Sequence, residues 1–114
     1  MKLPNDGRKA EEMARLFLQS QGLRILASNW RYKQLELDII ALEGQCLVFV
    51  EVKKRGKSDF VDLRQLISTE KQERLTRAAE AYMQSQAYQG EIRFDLIAFV
   101  ENKLHYIKDV FWNY

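Results

Sequence analysis

The sequence predicts an α/β fold in which a mixed central β-sheet is flanked by helices, in the order α-β-β-β-α-β-β. Two observations support this expectation. Apolar residues recur at helical spacing in two segments, and five other segments are rich in β-branched and aromatic residues. A chain of 114 residues is long enough for one packed core and too short for two, so we expect a single domain over residues 1–114.

The first half of the chain is predicted to hold one helix and three strands. The helix covers residues 7–21, where the apolar side chains form one stripe, and Gly22 follows at the position that favours glycine after a helix. The strands are expected over residues 23–32, 35–42 and 46–53. Only three residues separate the last two strands, so they should form an antiparallel hairpin.

The second half is predicted to begin with a loop over residues 55–67, which has a helical turn near its end. A helix over residues 69–87 and two strands over residues 91–100 and 103–107 should follow. Thr69 and Gln72 have the spacing of a capping box, which places the helix start at Thr69. Because a helical crossover precedes the fourth strand, that strand should return parallel to the third. The last two strands should form a hairpin around Glu101 and Asn102.

Charge and composition exclude several classes of protein. The chain has 18 basic and 16 acidic residues, so the net charge alone does not predict nucleic-acid binding. Residues 53–77, however, hold eight basic and four acidic side chains, which suits either a solvated face or a phosphate-binding surface. The single cysteine excludes an internal disulfide. The sequence contains no apolar run that could cross a bilayer and no signal peptide, so we expect a cytoplasmic protein without a membrane partner.

The hairpin between the second and third strands places two carboxylates together. A two-residue turn at Gly44 and Gln45 suits a type II′ turn and sets a register in which Asp38 lies opposite Glu51. The same register places Glu36 opposite Lys53. Directly opposed side chains have Cβ atoms about 4.5–5.5 Å apart, so the two carboxylates repel each other unless a cation compensates them. Such a pair suits a hard divalent ion such as Mg²⁺.

Three further residues are positioned to join this pair. Lys53 lies two residues after Glu51 on the same face of the strand, where an ammonium can stabilise charge on a phosphoryl group. Glu11 lies at the side of the buried stripe of the first helix, whereas Glu12 points to solvent. Lys71 begins an inward stripe on the second long helix. The alternative is that the strand charges form the wet face of a half-buried sheet, and composition alone leaves both interpretations open.

These residues resemble the bacterial YraN-like (UPF0102) family. The resemblance covers nearly the whole chain and is carried by the segments Ala10-Glu-Glu-Met-Ala14, Glu36-Leu-Asp-Ile-Ile-Ala41 and Leu47-Val-Phe-Val-Glu-Val-Lys53, and by Leu18, Gly22, Arg55, Lys71, Phe94 and Asp95. That family is similar to the archaeal Holliday-junction resolvases and to the PD-(D/E)-x-K nucleases. The resemblance implies a restriction-endonuclease-like core.

The resemblance also implies roles for single residues. Asp38 and Glu51 would be ligands of Mg²⁺ or Mn²⁺, Glu11 would be a further metal or water ligand, and Lys53 would be the catalytic lysine. The residues expected near the nucleic acid are Lys71, Arg55, Asn29 and Arg31. The expected activity is a metal-dependent endonuclease acting on DNA, plausibly branched or structured DNA.

Two other hypotheses stay open at this point. The chain could be a non-catalytic nucleic-acid-binding module that keeps the nuclease fold, or a scaffold in which the carboxylates only form ion pairs with Lys53 and Lys71. His105 and Cys46 are interpreted as structural residues. The apolar tail, residues 110–114, is expected to dock on the sheet or on a second subunit, and a homodimer would suit a two-fold branched substrate.

Overall fold

The element order predicted from the sequence is confirmed by the computed structural model, which describes residues 7–56 and 62–112. The elements are α1 (Gly7–Ser20), β1 (Arg24–Tyr32), β2 (Leu35–Glu43), β3 (Cys46–Arg55), a 3₁₀ turn (Leu63–Leu66), α2 (Thr69–Ser85), β4 (Ile92–Val100) and β5 (Lys103–Ile107). None of the helices in these ranges combines the length and the apolar character that crossing a bilayer requires.

The five strands form one mixed sheet in the order β1-β2-β3-β4-β5. β3 and β4 are parallel, as the α2 crossover predicts, and every other neighbouring pair is antiparallel. The turn between β2 and β3 is the predicted one. Glu43 pairs with Cys46, and Gly44 has a φ of 60°, which suits the first central position of a type II′ turn.

The sheet carries a hydrophobic core on each face, because strands in its centre are apolar on both sides. Ala14 and Leu18 of α1 pack on one face against Val48 and Ile97, and the α2 side chains pack on the other. The apolar tail docks on the α2 face, where the rings of Phe111 and Phe94 stack with centroids 4.6 Å apart. This confirms docking on the sheet for Val110 and Phe111, whereas Trp112 is exposed and residues 113–114 lie outside the described residues.

The ends of the helices follow local capping chemistry. Gly22, with a φ of 93°, ends α1 in a Schellman motif, in which Leu23 N–H donates to the Leu18 carbonyl at 3.0 Å. α2 begins at Thr69 as predicted, but the predicted N-cap was one residue late. Ser68, not Thr69, is the N-cap, because the Ser68 hydroxyl accepts the Lys71 N–H at 3.1 Å. α2 also ends at Ser85, two residues before the predicted end.

Candidate active site

The site is built around an interruption in β2. Leu37 and Ile40 pack in the same hydrophobic cluster on the α2 face, although they are an odd number of positions apart, whereas Ile39 packs on the α1 face. The regular alternation of side chains is therefore broken around Asp38. The neighbouring strand is also irregular here, since Asn29 of β1 has a φ of 51°. Because both strands are irregular here, the Asp38 carboxylate does not lie on the sheet face in the way that a side chain of a regular strand does.

Asp38 and Glu51 come together as the hairpin register predicts. The β2–β3 ladder runs from Glu43 and Cys46 to Ile39 and Val50, and Asp38 and Glu51 are the next residues along it. Asp38 Oδ2 then accepts the Val52 N–H at 2.9 Å, so a side chain takes the place of a backbone partner. This bond orients the Asp38 carboxylate toward β3.

The ladder does not extend to the predicted pairing of Glu36 with Lys53. The reason is the side-chain bond of Asp38 to Val52 N–H, which ends the backbone pairing before that point. Glu36 instead forms an exposed ion pair with Arg31 on β1, with an N···O distance of 3.7 Å. The direct Glu36–Lys53 pair was therefore a wrong prediction.

Glu51 is held in an unfavourable environment for a carboxylate. Only 5% of its side chain is exposed. Burial, then the charge of Asp38 and a side-chain hydrogen bond with Asp38, raise the pKa of Glu51 to about 8. The charges of Lys71 and Lys53 act in the opposite direction. The charges of the two lysines thus do not fully offset the repulsion between Asp38 and Glu51. A bound cation would reduce that repulsion.

Two ammonium groups converge on the same oxygen of Glu51. Lys53 Nζ lies 3.5 Å from Glu51 Oε2, and Lys71 Nζ lies 3.6 Å from it. Lys53 comes from the same strand, and Lys71 comes from the first turn of α2, where the Ser68 cap fixes the backbone. Both side chains stay about one third exposed, at 27% and 34%. Both predicted placements are confirmed, and both ammonium groups can meet a ligand arriving from solvent.

Glu11 approaches the pair from the other helix. Burial and the charge of Asp38 raise the pKa of Glu11, and a hydrogen bond from the Asn29 side chain lowers it. Glu11 is half-buried while Glu12 is exposed, as the helical stripe predicts. Asn29 was expected beside the nucleic acid, and its side chain in fact contacts Glu11. Its left-handed backbone conformation belongs to the same irregular region that positions Asp38.

The donor set suits a small hard cation. Within residues 7–56 and 62–112, no three Asp, Glu, His or Cys side chains are grouped closely enough to form a metal site by themselves. The site offers the Asp38–Glu51 pair, with Glu11 nearby. Mg²⁺ is commonly held by one or two carboxylates and completes its shell with water and substrate phosphate. The residues present therefore fit an ion of this class that also binds substrate.

Comparison with known proteins assigns the family. The model of the uncharacterised protein family UPF0102 matches residues 10–99. A UPF0102 protein of Shewanella amazonensis is 43% identical over 107 residues, covering 94% of this chain and 99% of the relative. Relatives from a Janthinobacterium species and from Halorhodospira halophila are 39% and 37% identical, covering 90% and 92% of this chain and 84% and 85% of each relative. The chain belongs to the UPF0102 family.

The remaining predicted contacts of this UPF0102 protein lie at the edge of the site. The Arg31 side chain is 73% exposed and pairs with Glu36. Arg55 is exposed at the end of β3, two residues after Lys53 on the same face. Lys57, which belongs to the predicted basic stretch, lies outside the described residues. Arg55 and Arg31 thus flank the carboxylates and do not contact them in the described ranges.

A second buried carboxylate of this UPF0102 protein was given no role by the sequence analysis. Asp95 of β4 is 1% exposed and accepts two bonds from the Arg93 guanidinium at 2.8 Å, one from the Tyr106 hydroxyl at 2.6 Å and one from Asp109 N–H at 2.9 Å. These bonds tie β4, β5 and the turn at Asp109 together on the α1 side of the sheet. The signal was available, because Asp95 interrupts a strand that is apolar on both faces.

Proposed function

We propose that this protein is a metal-dependent endonuclease that hydrolyses phosphodiester bonds of DNA, with branched or structured DNA as its substrate. The single observation that carries the proposal is the pairing of half-buried Asp38 with buried Glu51 beside two lysines, where burial and then the charge of Asp38 raise the pKa of Glu51 to about 8. A carboxylate pair that costs stability in this way is expected where a protein binds a cation or performs chemistry.

The proposed roles follow from the contacts of each side chain. Asp38 and Glu51 would hold Mg²⁺ or Mn²⁺, and Glu11 would bind the ion or one of its waters. Such an ion supplies Lewis acidity toward a phosphoryl oxygen and lowers the pKa of a bound water. The Val52 N–H keeps Asp38 oriented, and the Asn29 side chain does the same for Glu11. These bonds are the kind of support that ligand carboxylates need.

The two lysines act on the substrate. With a cation on Glu51, the Lys53 and Lys71 ammonium groups are no longer needed to balance that carboxylate. Lys53 then stabilises the negative charge that develops on the phosphoryl oxygens when water attacks phosphorus. Lys71, on the exposed start of α2, binds the adjacent phosphate. The basic side chains of the described residues 53–56 and 62–77 would bind further phosphates of the backbone.

Metal binding and cleavage test the proposal together. Mn²⁺ or Mg²⁺ is titrated by calorimetry into the wild type, into Asp38→Asn and into the control Glu12→Gln, and the three proteins are assayed on a labelled four-way junction and on a linear duplex. We expect binding and cleavage by the wild type and the control, and loss of both in Asp38→Asn. An absence of metal binding by the wild type, even with DNA present, would overturn the proposal.

The alternative is a non-catalytic nucleic-acid-binding module with the same fold. The exposed basic side chains of β3 and α2 favour this alternative, because they can bind phosphates whether or not a metal is bound. It predicts salt-sensitive DNA binding that survives Asp38→Ala, together with no cleavage by the wild type in either metal. The junction assay therefore separates the two functions.

A further inference from the structure

An exposed aromatic ring lies at the tip of the β1–β2 hairpin, beyond the candidate active site. Tyr32 is 45% exposed, although it is a large ring at the end of a strand. It stacks on Trp30 with a centroid distance of 6.3 Å and an interplanar angle of 10°. Trp30 is in turn held edge-on against Tyr82 of α2 at 5.3 Å. The Tyr32 ring is therefore exposed and also fixed in orientation by a packed aromatic neighbour.

Cationic side chains surround this ring. The Lys33 ammonium lies 5.3 Å from the centroid of the Tyr32 ring. Arg74 of α2 donates to the Gln34 carbonyl in the hairpin turn at 2.8 Å. Arg77 lines an open groove of about 400 Å³ together with Tyr32 and Glu80. Within the part of the chain that the structure describes, Lys33, Arg74 and Arg77 have no carboxylate within 4 Å.

The same cations lead back to the candidate active site. Lys71, which contacts Glu51, is followed at three-residue intervals by Arg74 and Arg77, so successive positions are about 4.5 Å apart along the helix. On the sheet, Tyr32 pairs with Leu35. Leu35 precedes Asp38 by three residues, so Tyr32 and Asp38 are about 10 Å apart along the strand direction. Stacked nucleotides are about 3.4 Å apart, so this span corresponds to roughly three of them.

We propose that Tyr32 is a stacking platform for an unpaired nucleobase about three nucleotides from the phosphate at the Asp38–Glu51 pair, and that the substrate carries a single-stranded segment there. This inference rests on the proposed function. An aromatic ring flanked by Lys and Arg is the arrangement that binds single strands, because each base offers a flat face and each nucleotide a phosphate. In a continuous duplex both faces of every base are already stacked, so only an unpaired or terminal base can use the ring.

Lys33 has a specific part in this arrangement. Its ammonium covers the ring in the absence of nucleic acid, and its flexible side chain can move to a phosphate when a base arrives. Arg77, on the groove wall, binds the phosphate next to the stacked base. Lys33 and Arg77 thus contribute salt-dependent affinity, and Tyr32 contributes the preference for unpaired bases.

The test measures binding without cleavage, in chelator, to a short single strand and to a covalently closed circular duplex that contains the same sequence and has no terminal base. The single strand carries 2-aminopurine, whose fluorescence is quenched by stacking, at each position in turn. We expect Tyr32→Ala to weaken single-strand binding by roughly 5- to 150-fold, as the loss of one base–aromatic stack does. Tyr32→Phe should retain wild-type affinity, because it keeps the ring. Duplex binding should be unchanged in both variants.

Trp112→Ala is the matched control, since it removes another exposed aromatic side chain, one that donates to Asp109 beside the far end of β3. It should leave single-strand binding unchanged. Thermal unfolding of Tyr32→Ala checks that the variant is folded. Equal single-strand affinity for the wild type and a folded Tyr32→Ala, or no position with quenched 2-aminopurine, would overturn the inference.

The two proposals fail in different ways. If the wild type cleaves in Mn²⁺ but Tyr32→Ala binds single strands as the wild type does, the stacking platform is wrong and the nuclease stands. If the wild type binds neither single strand nor duplex, the proposed function fails, and this inference fails with it. Arg77→Ala adds a second readout, because losing one phosphate contact should reduce the slope of log affinity against log salt by about 0.7 for a single strand.

Discussion

Replacing Asp38 by asparagine should make the metal-free protein more stable. The substitution removes the charge that repels Glu51 and Glu11, and the asparagine oxygen can still accept the Val52 N–H. Two unit charges about 5 Å apart, the spacing of opposed strand residues, interact by about 3 kcal/mol at an effective dielectric constant of 20.

Only part of this energy should be measurable at neutral pH. Because the pKa of Glu51 is raised to about 8, the folded protein already avoids some of the repulsion by keeping Glu51 protonated. At neutral pH, each unit by which the substitution lowers the pKa of Glu51 below 7 contributes about 1.4 kcal/mol. We therefore expect a gain of about 1–3 kcal/mol in the free energy of unfolding in chelator, which is roughly 4 °C in melting temperature per kcal/mol for a domain of this size.

The response to metal should have the opposite sign. An ion at 100 times its dissociation constant stabilises the wild type by about 2.7 kcal/mol, whereas Asp38→Asn should gain almost nothing. Thermal melts with chelator and with a series of Mg²⁺ concentrations measure both effects, and Glu12→Gln controls for a change in net charge. A folded Asp38→Asn that is less stable than the wild type in chelator, or that responds to Mg²⁺ as the wild type does, would refute the reasoning.

Three further predictions concern other buried or capping groups. The folded-state pKa of Glu51, about 8, exceeds its ordinary value of 4.5, so its contribution to stability is complete below pH 4.5 and is lost as the pH rises toward 8. Urea titrations of the metal-free protein should show this loss, and Glu51→Gln should remove it. Asp95→Asn should cost about 1.5–3 kcal/mol by weakening the charge-assisted bonds from half-buried Arg93, which keeps its ion pair with Glu43, while Mg²⁺ binding by the folded fraction is retained in calorimetry. Ser68→Ala should cost about 1 kcal/mol in urea unfolding, whereas Thr69→Ala should cost less because Thr69 is not the cap.

The architecture was predictable because its signals are local. A glycine in the β2–β3 turn fixes the register, and the register places Asp38 beside Glu51. The α2 crossover dictates that β4 returns parallel to β3. Residue parity along β3 then placed Lys53 next to Glu51, and helical spacing placed Lys71 at the inner start of α2.

The irregular region around Asp38 could not be predicted, and the reason is physical. An interruption in a strand is visible in a sequence when apolar and polar residues alternate, because the alternation changes phase there. β2 is apolar at every position from Ile39 to Leu42, so a change of phase between Leu37 and Ile40 leaves no trace in the pattern. The contact of Asn29 with Glu11 depends on the same irregularity and was hidden for the same reason.

The two buried carboxylates on β3 and β4 differ in how their charge is offset. Asp95 is surrounded by strong donors at 2.6–2.9 Å from Arg93, Tyr106 and the backbone, so this chain is able to satisfy a buried acid when the role is structural. Glu51 is equally enclosed, yet its nearest cations lie 3.5 and 3.6 Å away and its other neighbour is a second acid. Such a pair destabilises the metal-free fold. The proposed uptake of a cation together with a phosphate would account for both the close pairing of the two acids and the position of the two lysines, which stay about one third exposed beside Glu51.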